Sequence, residues 1–191
     1  MRIFLDANIL FSASFPKSLL ADFLGELKRH AVLLTNAYAK TEAERNVGAK
    51  IPKRLAAHQE FASAVELVPL QLFDLEVKLA EKDRPILCGA IAARADYLLT
   101  GDKKDFGHLF GRTISGVKVV SVQLLLADLI AQGLIHSRKC AALPPKKYGL
   151  VEPCFETLLQ NIYCATRNHA ALLPPLRDSM ERSTNFTKSA S

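Results

Sequence analysis

The strongest constraint on this chain is a pattern that occurs twice: a short apolar, strand-like run whose end leads into an acid. Arg2-Ile3-Phe4-Leu5 ends in Asp6-Ala7-Asn8, and Tyr97-Leu98-Leu99 ends in Thr100-Gly101-Asp102. Apolar runs this short, alternating with helical patterns, predict strands of a parallel sheet, and open sheets of that kind bind ligands beyond the carboxyl ends of their strands. A third acid, Asp83, stands directly before Arg84-Pro85 at the start of an apolar segment. Pro fits the first turn of a helix, and an Asp ahead of it is placed to cap free N–H groups. Carboxylates far apart in sequence are thereby brought toward one edge of a sheet.

The remaining elements follow in order. Leu19, Leu20, Phe23, Leu24 and Leu27 recur at helical spacing, and residues 31–34 read as a buried strand that Thr35-Asn36 closes, with a cap for the next helix. That helix runs from 37 to about 50. Glu42 is expected near its inward side and Glu44 elsewhere on the wheel. A helix is expected from Ile51-Pro52 to about 63, a short strand or extended connection at 65–69, and a further helix over 72–81 through Leu72, Leu75, Val77 and Leu79. Residues 103–110 read as a loop with one helical turn, 111–116 as a turn, 117–120 as the last strand and 122–131 as the closing helix. The expected architecture is a three-layer α/β/α sandwich around a parallel sheet of four to five strands, followed by a C-terminal extension.

Composition sets the outer limits. At 191 residues and 49% hydrophobic content the chain suits one domain with an appendage. No apolar run approaches the roughly 18 residues of a membrane span, and no targeting segment is visible, so a cytoplasmic location is expected. The four cysteines form no C-x-x-C pair, and Cys88 is expected to pack as a small apolar residue. Of the net charge of +6, residues 131–191 supply +4 and the rest of the chain +2. The body is therefore nearly balanced, and its slight basic excess is weak support for phosphate binding. Five of the nine prolines and three of the four cysteines lie beyond Gly133, which sets the domain division at 1–132 and 133–191. The extension is expected to be partly helical, at 154–164, with a polar, disordered end.

Four acids gathered at one edge repel one another unless protonated or neutralised, and a set of oxygen ligands alone suits Mg2+ or Mn2+. Such an ion activates water and stabilises charge on phosphate oxygens, which is the chemistry of phosphodiester hydrolysis without a protein nucleophile. The chain accordingly has no Gly-x-Ser-x-Gly elbow. A receiver-like module is disfavoured because residues 1–10 hold only one acid, and an Asp-x-Asp phosphatase because position 8 is Asn.

Asp6-Ala7-Asn8, Tyr38-x-x-x-Glu42-x-x-Arg45-Asn46, Lys82-Asp83-Arg84-Pro85-Ile86-Leu87 and Leu99-Thr100-Gly101-Asp102-Lys103-Lys104-Asp105-Phe106-Gly107 together resemble the motif series of PIN-domain ribonucleases. They are nearest the VapC-like branch of toxin components of toxin–antitoxin systems. The resemblance covers about residues 1–130. It implies that Asp6, Glu42, Asp83 and Asp102 are the catalytic, metal-binding acids for Mg2+ or Mn2+, with Asn8, Thr100 and Asp105 in support. Lys103 and Lys104 are expected phosphate contacts, and His108 is weighed as a proton donor against a loop-surface role. The implied activity is metal-dependent RNA cleavage, with an antitoxin protein as partner and a homodimer as assembly. The alternative is an inactive module of the same fold that binds RNA or protein.

Overall fold

The structure, a computed structural model, describes residues 1–16 and 18–135. The helix expected at 154–164, the disordered end and Cys140, Cys154 and Cys164 lie outside the described residues.

The chain runs β1 (Arg2–Leu5), α1 (Ala7–Ala13), α2 (Leu19–Leu27), β2 (Val32–Asn36), α3 (Ala37–Lys50), a 3-10 turn (Pro52–Arg54), α4 (Leu55–Ser63), β3 (Glu66–Val68), α5 (Arg84–Ala92), β4 (Tyr97–Leu99), a second 3-10 turn (Gly107–Leu109), β5 (Thr113–Ile114), β6 (Val117–Val120) and α6 (Val122–Ala131). The sheet has six strands in the order β3-β2-β1-β4-β6-β5. From β1 the chain builds outward through β2 and β3 on one side, then crosses to build β4 and β6 on the other. The point where the order reverses, between β1 and β4, is where such sheets leave a crevice. Ile3, Phe4 and Leu5 are consecutive and all fully buried, so helices cover both faces of the sheet.

Two expectations are corrected. The segment expected as a helix over 72–81 is irregular. Leu75, Val77 and Leu79 are half-buried while Glu76, Lys78 and Ala80 between them are exposed. That is the period of two of an extended chain, not the 3.6 of a helix. The five expected strands are all present and parallel, and a sixth, antiparallel one makes the sheet mixed. Residues 111–116, expected as a turn, contain β5, which pairs antiparallel with β6 through Thr113↔Lys118 and Ile114↔Val117. Ser115 and Gly116, both at positive φ, close that hairpin.

Several elements fall where the pattern puts them. Asn36 caps α3, its Oδ1 accepting from Ala39 N–H at 2.9 Å. Cys88 is fully buried in α5. Among the described residues no helix is long and apolar enough to cross a membrane.

Candidate metal centre at the carboxyl edge of the sheet

The site begins with register. β1 and β4 are parallel neighbours with Leu5 opposite Leu99, so the residues that follow, Asp6 and Thr100, emerge side by side. Asp6 is the N-cap of α1: its backbone is extended, and its Oδ1 accepts from Ala7 N–H at 2.6 Å. Its Oδ2 accepts from Thr100 Oγ1 at 2.6 Å and from Asn8 Nδ2 at 2.7 Å. Asn8 in turn accepts from Gly101 N–H at 2.8 Å through Oδ1. Asn8 and Thr100 thus staple the end of β1 to the end of β4, with the buried Asp6 carboxyl as the knot. Burial raises the Asp6 carboxyl to about 6 against those three hydrogen bonds, and the nearby charge of Glu42 adds a smaller push in the same direction.

The second part of the site lies one residue beyond the staple. Thr100 Oγ1 also accepts from Asp102 N–H at 3.1 Å. Asp102 Oδ1 accepts from the backbone N–H groups of Lys104 at 2.9 Å and Asp105 at 3.0 Å, which folds residues 102–107 into a turn. That turn brings Asp105 back toward Asp102.

Asp83 reaches the same place from α5. It occupies the position before the helix, but at φ −99° and ψ −14° its side chain makes no capping bond. This corrects the expectation that Asp83 caps the helix: the extended backbone that turns a cap side chain toward the first N–H groups is present at Asp6 and absent here. The Asp83 carboxyl points instead at Asp102 and Asp105, and one oxygen from each of the three lies within 4.8 Å of the others. Asp83 Oδ2 is buried and has no hydrogen-bond partner. Desolvation pushes this carboxyl up to about 6. The Lys82 charge opposes that push, and the charges of Asp105 and Asp102 reinforce it.

What holds α5 in position is close packing. Asn36 Nδ2, at the end of β2, donates to Pro85 O at 2.9 Å. Gly89 lets the helix approach, since a Cβ there would lie 2.6 Å from Asn36 Nδ2 and 3.1 Å from Phe4 Cζ.

Of the four acids expected to converge, Asp83 and Asp102 share the tight group, completed by Asp105. Asp6 is joined to them through Thr100. Glu42 is exposed on α3 rather than facing inward, on the side where its charge is felt by Asp6. Glu44 lies toward His58. Lys103 and Lys104 are exposed on the turn. His108 is also exposed, with Nε2 2.8 Å from Lys78 O.

Sequence reasoning missed Lys82 as part of the site. Its ammonium pairs with Asp105 at 2.5 Å and lies 3.7 Å from Asp83 Oδ2, holding the Asp105 carboxyl below the usual carboxylate range. Adjacency to Asp83 was the available signal. One lysine among three carboxylates leaves negative charge in excess, and an orphaned buried oxygen beside two further carboxylates is a donor set that a hard divalent cation fits.

No protein-family model matches the sequence, and no curated protein matches it. Among solved structures, the chain resembles one in the VapBC2 complex of Rickettsia felis, solved bound to a DNA fragment from their promoter. The TM-score is 0.50 at 20% identity over 63% of this chain and 98% of that one. The PIN-like fold expected from the motifs is the fold this chain adopts.

Proposed function

We propose that this PIN-fold chain is a Mg2+- or Mn2+-dependent endoribonuclease acting in the cytoplasm, the toxin of a toxin–antitoxin pair. The observation that carries the reading is the Asp83 carboxyl grouped with Asp102 and Asp105, its buried Oδ2 without a hydrogen bond and balanced only by the Lys82 ammonium at 3.7 Å. Asp83 and Asp102 would hold the ion, with Asp6 and Glu42 completing the catalytic acids and Asp105 assisting. When bound, the ion supplies an activated water and neutralises charge growing on the phosphate oxygens.

The chain's own residues do the rest. Asn8 and Thr100 fix the Asp6 carboxyl and the backbone of Asp102. Their staple holds the reacting geometry rigid, which is where positioning gains its rate. Lys103 and Lys104, exposed beside the acids, contact the phosphates flanking the scissile bond and so fix its register. Lys82 offsets part of the repulsion among the carboxylates before the ion arrives. In this reading the nuclease unit is residues 1–132, and 133–191 are an extension. The VapBC2 complex supports a protein antitoxin as partner, and a homodimer is the assembly we propose.

The test is cleavage of labelled RNA by the purified chain with Mn2+, with chelator, and with the Asp6→Asn/Asp102→Asn double variant. Cleavage that needs the metal and is lost in the variant supports the reading. Metal-dependent cleavage that persists in the variant overturns it.

A further inference from the structure

One exposed stripe of α1 begins at the acids and leads away from them. Ala7, Ile9, Leu10 and Ala13 of this helix are buried, whereas Asn8, Phe11 and Ser12, with Phe15 in the turn that follows, are each partly exposed. The spacing of three and four residues puts them on one face. Asn8 contacts Asp6, Thr100 and Gly101. From Asn8 to Phe15 the stripe extends about 10 Å along the axis.

Two phenyl rings on this stripe meet edge to face, with centroids 5.8 Å apart. Each carries a cation from another element: Lys50 Nζ lies 5.7 Å from the Phe11 centroid and Arg54 Cζ 5.3 Å from that of Phe15. The segment that supplies them is one-sided in charge. Residues 45–59 contain Arg45, Lys50, Lys53 and Arg54 and no Asp or Glu. Partly exposed aromatic rings edged by cations are the surface that single-stranded nucleic acid uses, with bases on the rings and phosphates on the cations. A base held between ring and cation needs about 7 Å, twice a stacking contact. The long side chains of Lys50 and Arg54 supply the remaining one to two ångströms by swinging outward.

We propose that Phe11 and Phe15, with Lys50 and Arg54, form a stacking platform for one or two unpaired bases of the RNA beside the scissile bond. The proposal rests on the nuclease reading, whose acids begin at the same helix. It selects single-stranded RNA, because the bases of a duplex are not free to reach the rings.

The experiment measures anisotropy of a labelled single-stranded RNA and of a matched blunt duplex on the full chain, in chelator so that neither is cut. The Phe11→Leu/Phe15→Leu double variant keeps apolar bulk but removes the stacking faces. It is expected to bind the single strand about tenfold more weakly and the duplex unchanged. Lys50→Gln/Arg54→Gln is expected to weaken binding and to flatten its salt dependence by about one to two phosphate contacts. Unchanged single-strand affinity in the leucine variant overturns the proposal, as does retained RNA affinity together with loss of self-association on a sizing column, which would make this a protein-binding face. If the leucine variant fails to melt cooperatively, the glutamine variant decides: unaltered affinity and salt slope overturn the platform. RNA cleavage with Mn2+ is scored separately. Binding that depends on the rings without cleavage leaves the platform standing and removes the nuclease reading, and cleavage indifferent to the rings does the reverse.

Discussion

Asp6 and Asp83 are raised to the same value, about 6, yet they stand in opposite situations. Both oxygens of Asp6 accept hydrogen bonds from Ala7, Asn8 and Thr100, while Asp83 Oδ2 is buried without one. The same substitution is therefore expected to act with opposite sign. Asp6→Asn puts an amide donor among groups that already donate, and should cost about 1–3 kcal/mol. Asp83→Asn removes a charge that burial penalises, at the loss of its ion pair with Lys82, and on balance should stabilise the metal-free chain modestly. Urea unfolding of the two variants in chelator checks the pair; destabilisation by Asp83→Asn would show that its carboxylate is satisfied in solution. At this scale the sequence was informative where backbone register dictates the outcome. Asp6 and Asp102 follow strand ends, and any parallel pairing of those strands brings them near. It put Asp83 at the start of α5 but misread its side chain as a cap, because capping and non-capping backbones at that position look alike in sequence, and it missed Lys82, because adjacency does not specify direction.

At the scale of elements, the site depends on how closely α5 approaches the sheet. Gly89→Ala introduces a methyl group 2.6 Å from Asn36 Nδ2 and 3.1 Å from the Phe4 ring, distances at which the buried Asn36 amide, the Phe4 ring or the helix itself must shift. The expected cost is about 1–3 kcal/mol. Because Asn36 also holds Pro85, the shift should weaken Mn2+ binding through Asp83 as well. Denaturant unfolding and a Mn2+ titration of the variant test both parts, and wild-type values in both would contradict the packing argument. The helix α3 was legible from its cap, Asn36 accepting from Ala39 N–H, and α6 from its apolar run, where Ser121 also accepts from Leu124 N–H. The irregular segment between β3 and α5 was misread because leucines at short intervals resemble a helical face when counted, and only the strict alternation of Leu75, Val77 and Leu79 betrays an extended chain. β5 was missed because a two-residue strand in a tight hairpin has almost no periodicity to detect.

For the whole molecule, the strand order converts two local signals into a site: the reversal between β1 and β4 places one acid-bearing strand end on each side of a crevice. The pH dependence follows from the charge gathered there. Asp6 and Asp83 bind protons more tightly folded than unfolded, so between about pH 4 and pH 6 the folded state holds more protons and stability falls as pH rises. Above about pH 6 that penalty is complete, and a dication that needs the Asp83 carboxylate ionised relieves its share of it. The melting temperature of the metal-free chain should therefore carry a loss from these two acids between pH 5 and pH 7.5, and Mn2+ should raise it far more at pH 7.5 than at pH 5. Equal stabilisation by Mn2+ at both values would contradict this. The most direct test of the central claim is anomalous diffraction from crystals soaked in Mn2+: the account predicts a peak between the carboxylates of Asp83, Asp102 and Asp105, and density there without a peak, in crystals that take up the ion elsewhere, would contradict it.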